Sequence, residues 1–314
     1  MRFSVIIPLY NKALYVKKAL SSVITQTFRD FELIVVDDGS SDDSYGIAEA
    51  FMKGLEIECK LIHQNNAGVS IARNNGVAAS YGDYLCFLDA DDWWAPTFLE
   101  RLNWLIMEYP EAGIYGTNYY YVKNGTNSIC VTTAETGYIN YCKVYAEKLQ
   151  MPLWTGAVCV PRNIYMEMGG FEPQLKLGED FCLWIKIALK YKVAFLNEAL
   201  SFYFQDSDPT WRLVGKLHDP QEHMLWSLHH LEEVERNNAD YKKLIDKLRT
   251  YSLLPYYISR QYRDLAKQEL AKIDWNLQPI RERVLYKTPV PILKLRQGLL
   301  KAGSFLKRTV RKYL

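Results

Sequence analysis

No stretch of the chain approaches the ~18 apolar residues that a membrane-spanning helix needs. The opening run, Met-Arg-Phe-Ser-Val-Ile-Ile-Pro, is too short for the core of a secretory signal and is stopped by Pro8. A cytoplasmic protein is therefore expected, or one bound to the inner face of the cell membrane. The six cysteines form no CxxC pair and no Cys/His cluster with zinc spacing. Several lie in apolar runs, such as Cys86 in Tyr-Leu-Cys-Phe-Leu, and read as reduced, small core side chains. Histidine is scarce, and the pair His229-His230 lies in a helical amphipathic pattern, where packing or solvation outweighs ligation. Glycine cradles for phosphate are missing too. No GxGxxG follows the first strand and no P-loop is present, which excludes a dinucleotide-binding fold and a P-loop enzyme. A bound phosphate would need another source of neutralisation.

The 314 residues suit one large α/β domain with an appendage, and the 49% apolar content supplies a sizeable core. Charge is unevenly placed. Residues 281–314 carry ten basic residues and one acid, a net +9, leaving residues 1–280 at −7. A basic tail of this kind points to an anionic partner.

Short β-branched runs at 3–8, 31–37, 58–63 and 84–89 read as buried strands. Helical patterns at 12–25, from about 42 to 53, and at 68–80 separate them. This alternation predicts right-handed βαβ units and a mostly parallel sheet flanked by helices. Ligands of such sheets bind beyond the carboxyl ends of the strands. Four polar groups fall there: Tyr10-Asn11, Asp37-Asp38-Gly39-Ser40, Asn65-Asn66-Ala67-Gly68 and Asp89-Ala90-Asp91-Asp92. Neighbouring side chains point apart, so one of Asp37 and Asp38 meets a ligand; Asp38 is the candidate and Asp37 the structural residue. Asp89 and Asp91, one residue apart at a strand end, can share an oxygen-preferring divalent cation, and that cation can bridge a diphosphate. The plainer reading is a solvated acidic turn.

Ser4-Val-Ile-Ile-Pro-Leu-Tyr-Asn11, Val36-Asp-Asp-Gly-Ser-Ser-Asp42, Asn66-Ala-Gly-Val-Ser-Ile-Ala-Arg-Asn74 and Phe87-Leu-Asp-Ala-Asp-Asp92 resemble, in order, the signatures of family 2 glycosyltransferases. Gly169-Gly-Phe171 with Gly178-Glu-Asp180 resembles the family's acceptor-side motif. The resemblance covers roughly residues 3–205. It implies a GT-A fold, an inverting mechanism, a nucleoside-diphosphate sugar donor with UDP as the default, and a divalent metal, Mn2+ or Mg2+. It implies that Asp38 binds the base, that Pro8, Tyr10 and Gly68 line the nucleotide with Asn11 and Asn66 close by, and that Arg73 contacts the nucleotide or its phosphates. Asp91 is implied as the direct metal ligand with help from Asp89, Asp180 as the general base, and Glu179 as its neighbour on the substrate. The expected downstream histidine is absent, so Asp206 or Asp208 stands as a substitute third ligand. Asp180 also has a plain reading as a helix N-cap. Trp93 and Trp94 read as core or lid, and Trp154 as either packing or acceptor contact.

The organisation expected is a domain at 1–215, with a nucleotide-binding half at 1–92 and an acceptor half at 93–215, followed by a helical region at 216–314. Apolar residues at 292, 295, 299, 302, 306, 310 and 313 make one helical stripe among lysines and arginines, which suits an anionic membrane surface and a saccharide or lipid-linked acceptor in cell-surface polysaccharide synthesis. The alternatives are a sugar nucleotidyltransferase, against which the missing Gly- and Arg-rich early loop counts, and a non-catalytic nucleotide-sugar binding module. Nucleic acid is not an expected partner, since no nucleic-acid motif accompanies the basic tail.

Overall fold

The computed structural model describes residues 1–205 and 217–295. Two compact units emerge, the first running from Met1 to Glu232 and the second starting at Glu233.

The first unit begins with β1 (Phe3–Leu9), α1 (Val16–Ile24), β2 (Phe31–Asp37), α2 (Ser44–Met52), β3 (Cys59–His63), α3 (Val69–Ala78) and β4 (Tyr84–Phe87). β1 and β2 are buried at every residue, as β-branched runs covered on both faces should be. β1 pairs in parallel with β2 and β4, and β2 with β3. Pro8 does not stop β1, which continues to Leu9 beside Asp37. The reason lies in the hydrogen bonds. Ile6 O accepts from Leu88 N, so Pro8, two residues on, turns its missing N–H to the side where β4 has already ended.

α1 starts four residues later than its pattern predicts. Asn11 takes a left-handed φ of 51°, and Lys12 to Tyr15 close a turn before the helix begins. The helix then buries Val16, Ala19, Leu20 and Val23 at spacings of three and four. α3 lies close on β1: a Cβ on Gly76 would stand 2.5 Å from Ile6 Cγ2, so a larger residue there would push the helix off the sheet.

Beyond β4 come β5 (Trp93–Trp94), α4 (Phe98–Glu108), β6 (Ala112–Lys123), β7 (Thr126–Ile129), β8 (Gly137–Ile139), α5 (Tyr141–Lys148), β9 (Val158–Pro161), α6 (Arg162–Glu167), α7 (Glu179–Lys190) and β10 (Lys192–Phe204). The sheet order is β3-β2-β1-β4-β9-β6-β10-β5, with β7 on β6 and β8 on β10. β9 runs antiparallel to both β4 and β6, whereas β10 is parallel to β6. The four-strand parallel block is thus joined to a mixed block through β9. The turns and helix from Pro220 to Leu231, including α8 (Met224–Ser227), complete the first unit against α7, and Ser227 donates to Glu172, ahead of that helix, at 2.8 Å.

The second unit is helical, with α9 (Glu232–Asn237) leading into it, then α10 (Ala239–Ser252), α11 (Leu254–Ile258), α12 (Arg263–Ala271) and α13 (Ile280–Lys287). Tyr241, Leu244, Ile245 and Leu248 of α10 are buried. Arg249 is buried with them and donates to both oxygens of Glu235 at 2.6 and 2.8 Å, and to Glu269 at 3.2 Å.

Candidate functional site

The parallel block delivers its polar strand ends as a frame of backbone hydrogen bonds. Asp38, immediately after β2, is only 3% exposed. Its Oδ1 accepts from Ala67 N at 2.8 Å and from Gln64 Nε2 at 2.7 Å, and its Oδ2 accepts from Gly68 N at 2.9 Å. Asn66 Nδ2 donates back to the Asp38 carbonyl at 3.0 Å. The ends of β2 and β3 are therefore bound through one carboxylate. Gly68 stands at φ 96° as the N-cap of α3, with open space where a Cβ would lie. Asp37 is fully buried and accepts from Ser40 N at 3.3 Å, with its other contact to His63 Nδ1 at 2.8 Å. Asn11 Oδ1 accepts from Ser41 N at 2.8 Å, tying the β1 end to the β2 end. Pro8 is buried within β1, and Tyr10 is half-buried just beyond it.

β4 ends at Phe87, two residues before the acidic group, and Asp92 N closes a turn on the Asp89 carbonyl at 2.9 Å. The three carboxyls of this turn meet different surroundings. Asp89 Oδ1 accepts from Arg73 Nη2 at 2.7 Å, and Asp91 Oδ2 from Lys12 Nζ at 2.6 Å. Asp92 is 1% exposed. Burial pushes its carboxyl well above the ordinary range, and the charges of Asp91 and Asp89 add to that; the Phe204 N–H at 2.8 Å and the Trp154 indole work against it.

Arg73 joins the two halves of the unit. It is 3% exposed, and its Nη1 donates to Glu179 Oε1 at 3.0 Å while Nη2 holds Asp89. Its guanidinium also lies 5.0 Å over the Phe171 ring. Burial opposes the charge of Arg73, but Asp89 and Glu179 outweigh it. Burial pushes the Glu179 carboxyl up to about 7, reinforced by Asp180 and opposed by Arg73. The next residue, Asn74, accepts from Phe171 N at 3.1 Å and donates to Phe171 O at 2.8 Å, so α3 also pins the Gly169-Gly170-Phe171 motif.

Asp180 lies in the first turn of α7 and is not its N-cap. Gly178 takes that place at φ 79°, and a Cβ there would meet Met224 Sδ at 2.5 Å, which leaves glycine the only fit. Asp180 Oδ2 accepts from Thr155 Oγ1 at 2.8 Å, and Oδ1 from Phe181 N at 2.7 Å. Trp154 is half-buried, its ring 4.0 Å from Tyr203 and stacked on Tyr119 at 5.9 Å. Trp94 is core, stacked on Phe98 at 4.1 Å and donating to Gly156 O at 2.6 Å. Trp93 stacks on Phe202 at 5.3 Å.

Asp89 and Asp91 offer hard oxygen donors at a half-exposed strand end, each already matched to a cation of the chain, and this chemistry fits Mg2+ or Mn2+. Among the described residues no three His, Cys, Asp or Glu side chains form a metal-binding group. Two carboxylates leave coordination positions that water and a diphosphate suit. Asp206 and Asp208 lie outside the described residues. Lys12 and Thr155 were not read from the sequence as members of this group. Lys12 directly follows a flagged strand end, but nothing in its spacing points across 79 residues to Asp91.

Residues 4–166 match the family described as Glycosyl transferase family 2. Glycosyltransferase GlyA of Streptococcus pneumoniae serotype 4 is 34% identical over 224 residues, which cover 64% of this chain and 30% of that one. The match spans about a third of the length of the first curated relatives. In three dimensions, S. aureus TarS in complex with UDP-GlcNAc aligns with a TM-score of 0.60 at 20% identity, covering 87% of this chain and 71% of that one. The mannosyltransferase PcManGT from Pyrobaculum calidifontis, in complex with GDP-Man and Mn2+, aligns with a TM-score of 0.56 at 15% identity, covering 97% and 86%. The fold is that of these proteins, a GT-A arrangement of a central sheet flanked by helices.

Proposed function

We infer the activity from one premise: this chain belongs to glycosyl transferase family 2. The reading is an inverting transfer of a sugar from a nucleoside-diphosphate sugar, with UDP as the first base to try, to a hydroxyl of a saccharide or lipid-linked saccharide. The observation that carries it is Arg73, which binds Asp89 at the donor-side strand end and Glu179 beside Asp180 at the start of α7. One buried cation thereby puts the candidate diphosphate site and the candidate base in one charge cluster. The nucleotide sugars named with the structurally similar proteins support a donor of this class.

In this reading the base and ribose lie along Pro8, Tyr10, Asn11, Asp38, Asn66 and Gly68. A divalent cation, Mn2+ or Mg2+, held by Asp91 with Asp89, would supply charge neutralisation for the departing diphosphate. The chain's own groups do the rest. Asp180 takes the proton from the acceptor hydroxyl, and the Thr155 hydroxyl holds Oδ2 in position for it. The acceptor oxygen attacks the anomeric carbon from the face opposite the leaving group, so one displacement inverts the centre. Arg73 holds Glu179 close to Asp180, and its charge offsets the crowding of the two neighbouring carboxyls. Trp154, packed on Tyr203 and Tyr119, forms the acceptor-side wall.

Peripheral attachment to an anionic inner membrane surface belongs to the same reading. Ile280, Val284, Ile292 and Leu295 are 56 to 70% exposed among Arg281, Arg283, Lys287 and Lys294. No described helix is long and apolar enough to cross a membrane. Of the basic stripe, residues 296–314 lie outside the described residues.

The test is a panel of nucleotide sugars with Mn2+ or Mg2+, assayed for donor turnover in the wild type and in Asp180→Asn. The variant should lose at least ~100-fold in turnover while binding nucleotide normally. Release of pyrophosphate would instead identify a nucleotidyltransferase, and binding with no turnover by the wild type under any donor and acceptor would identify a binding module.

A further inference from the structure

Asp89 and Asp91 each carry a cation of the chain, but the two cations are held in different ways. Arg73 is 4% exposed along its side chain and is fixed a second time by Glu179. The side chains of Lys12 and Asp91 are 20% and 16% exposed. The Lys12 backbone is anchored: its N–H donates to Ser44 Oγ at 2.7 Å, and its carbonyl accepts from Tyr15 and Val16 at 2.8 and 2.9 Å. From that fixed root the ammonium reaches Asp91 Oδ2 at 2.6 Å on a flexible four-carbon stem. One carboxylate has a locked partner and the other a movable one.

We propose that Lys12 is the resident counter-ion of Asp91, and that a divalent cation binds this carboxylate only by displacing it. The inference rests on the reading of Asp91 as the metal ligand. A metal stands about 2.1 Å from a carboxylate oxygen, inside the shell that the ammonium now fills. Two like charges within a few ångströms repel strongly in a partly buried site. At Asp91 Oδ2, ammonium and metal are therefore alternative occupants. The lysine offsets the charge of Asp91 before substrate arrives, and it weakens metal binding until a donor diphosphate brings enough negative charge for both cations.

The experiment measures Mn2+ binding to the full-length protein without nucleotide, by the electron paramagnetic resonance signal of free Mn2+, with circular dichroism to verify that each variant is folded. Lys12→Gln should tighten Mn2+ binding by about three- to five-fold, the scale of a part-exposed ion pair. Lys12→Arg, which keeps the charge, should show no such gain. Asp91→Asn should weaken binding at least ~10-fold. The double variant should bind no tighter than Asp91→Asn alone. Unchanged or weaker binding in Lys12→Gln, with binding lost in Asp91→Asn, overturns the competition and leaves Asp91 as ligand. Unchanged binding in Asp91→Asn removes the metal reading of Asp91 and the competition with it.

Discussion

The two halves of the sheet hold their candidate functional carboxylates by different means. In the parallel block, Asp38 is gripped by the backbone amides of Ala67 and Gly68. In the mixed block, Asp180 leans on the hydroxyl of Thr155 and on the amide of its own neighbour. A carboxylate held by the main chain of another loop moves only if that loop moves. One held by a single hydroxyl is re-aimed by a rotamer change. The first half is a preformed cradle, and the second can adjust to what enters beside it.

Four substitutions break or sharpen this contrast. The largest effect is expected where the halves meet. Arg73→Met should cost about 3–5 kcal/mol in urea unfolding, because Asp89 and Glu179 lose their buried cation. A loss below ~1 kcal/mol would mean that the halves do not depend on this joint.

Acid should loosen the second half first. His223 pairs in a bridge with Leu177 just before α7, and burial, with His218 adding to it, pushes its imidazole down to about 4. As pH falls below the ordinary ~6.5, the unfolded chain takes up the proton and the folded one does not. Stability is therefore complete above that value and declines as pH drops towards 4, by up to about 3 kcal/mol. Thermal unfolding of His223→Asn across this window should show a flatter slope than the wild type.

Asp38→Asn replaces a charged acceptor facing two amides, and should cost about 1.5–3 kcal/mol with a matching loss of nucleotide affinity. Calorimetry with UDP would read it. Thr155→Val should be mildest, lowering turnover by about ten-fold, roughly one hydrogen bond to a carboxylate at the weak end of its range, with nucleotide affinity unchanged. If Thr155→Val proved as harmful as Asp38→Asn, the two carboxylates would be equally fixed and the contrast would fail.

The first half was legible because each of its elements advertises itself locally. β1 and β2 are unbroken apolar runs, and the alternation with helices dictates parallel pairing. Its errors were local as well. α1 begins at Val16 because Asn11 adopts a left-handed conformation that no periodicity reveals, and β4 stops two residues short of Asp89. In the second half, β9 is four residues long and inserts between β4 and β6, a placement set by tertiary pairing and not by its own pattern. The candidate site residues were visible as types at strand ends, but their partnerships were not. Lys12 finds Asp91 across 79 residues, and Arg73 finds Glu179 across 106.

Those spans have a consequence for the order of assembly. The parallel block is made of the first four strands of the chain, so it can close while the rest of the chain is still being synthesised. Asp89 and Asp91 leave the ribosome soon afterwards, but Arg73 gains Glu179, and Asp92 the amide of Phe204, only more than a hundred residues later. A nascent chain halted before α7 would present the strand-end frame without Asp180, the candidate base.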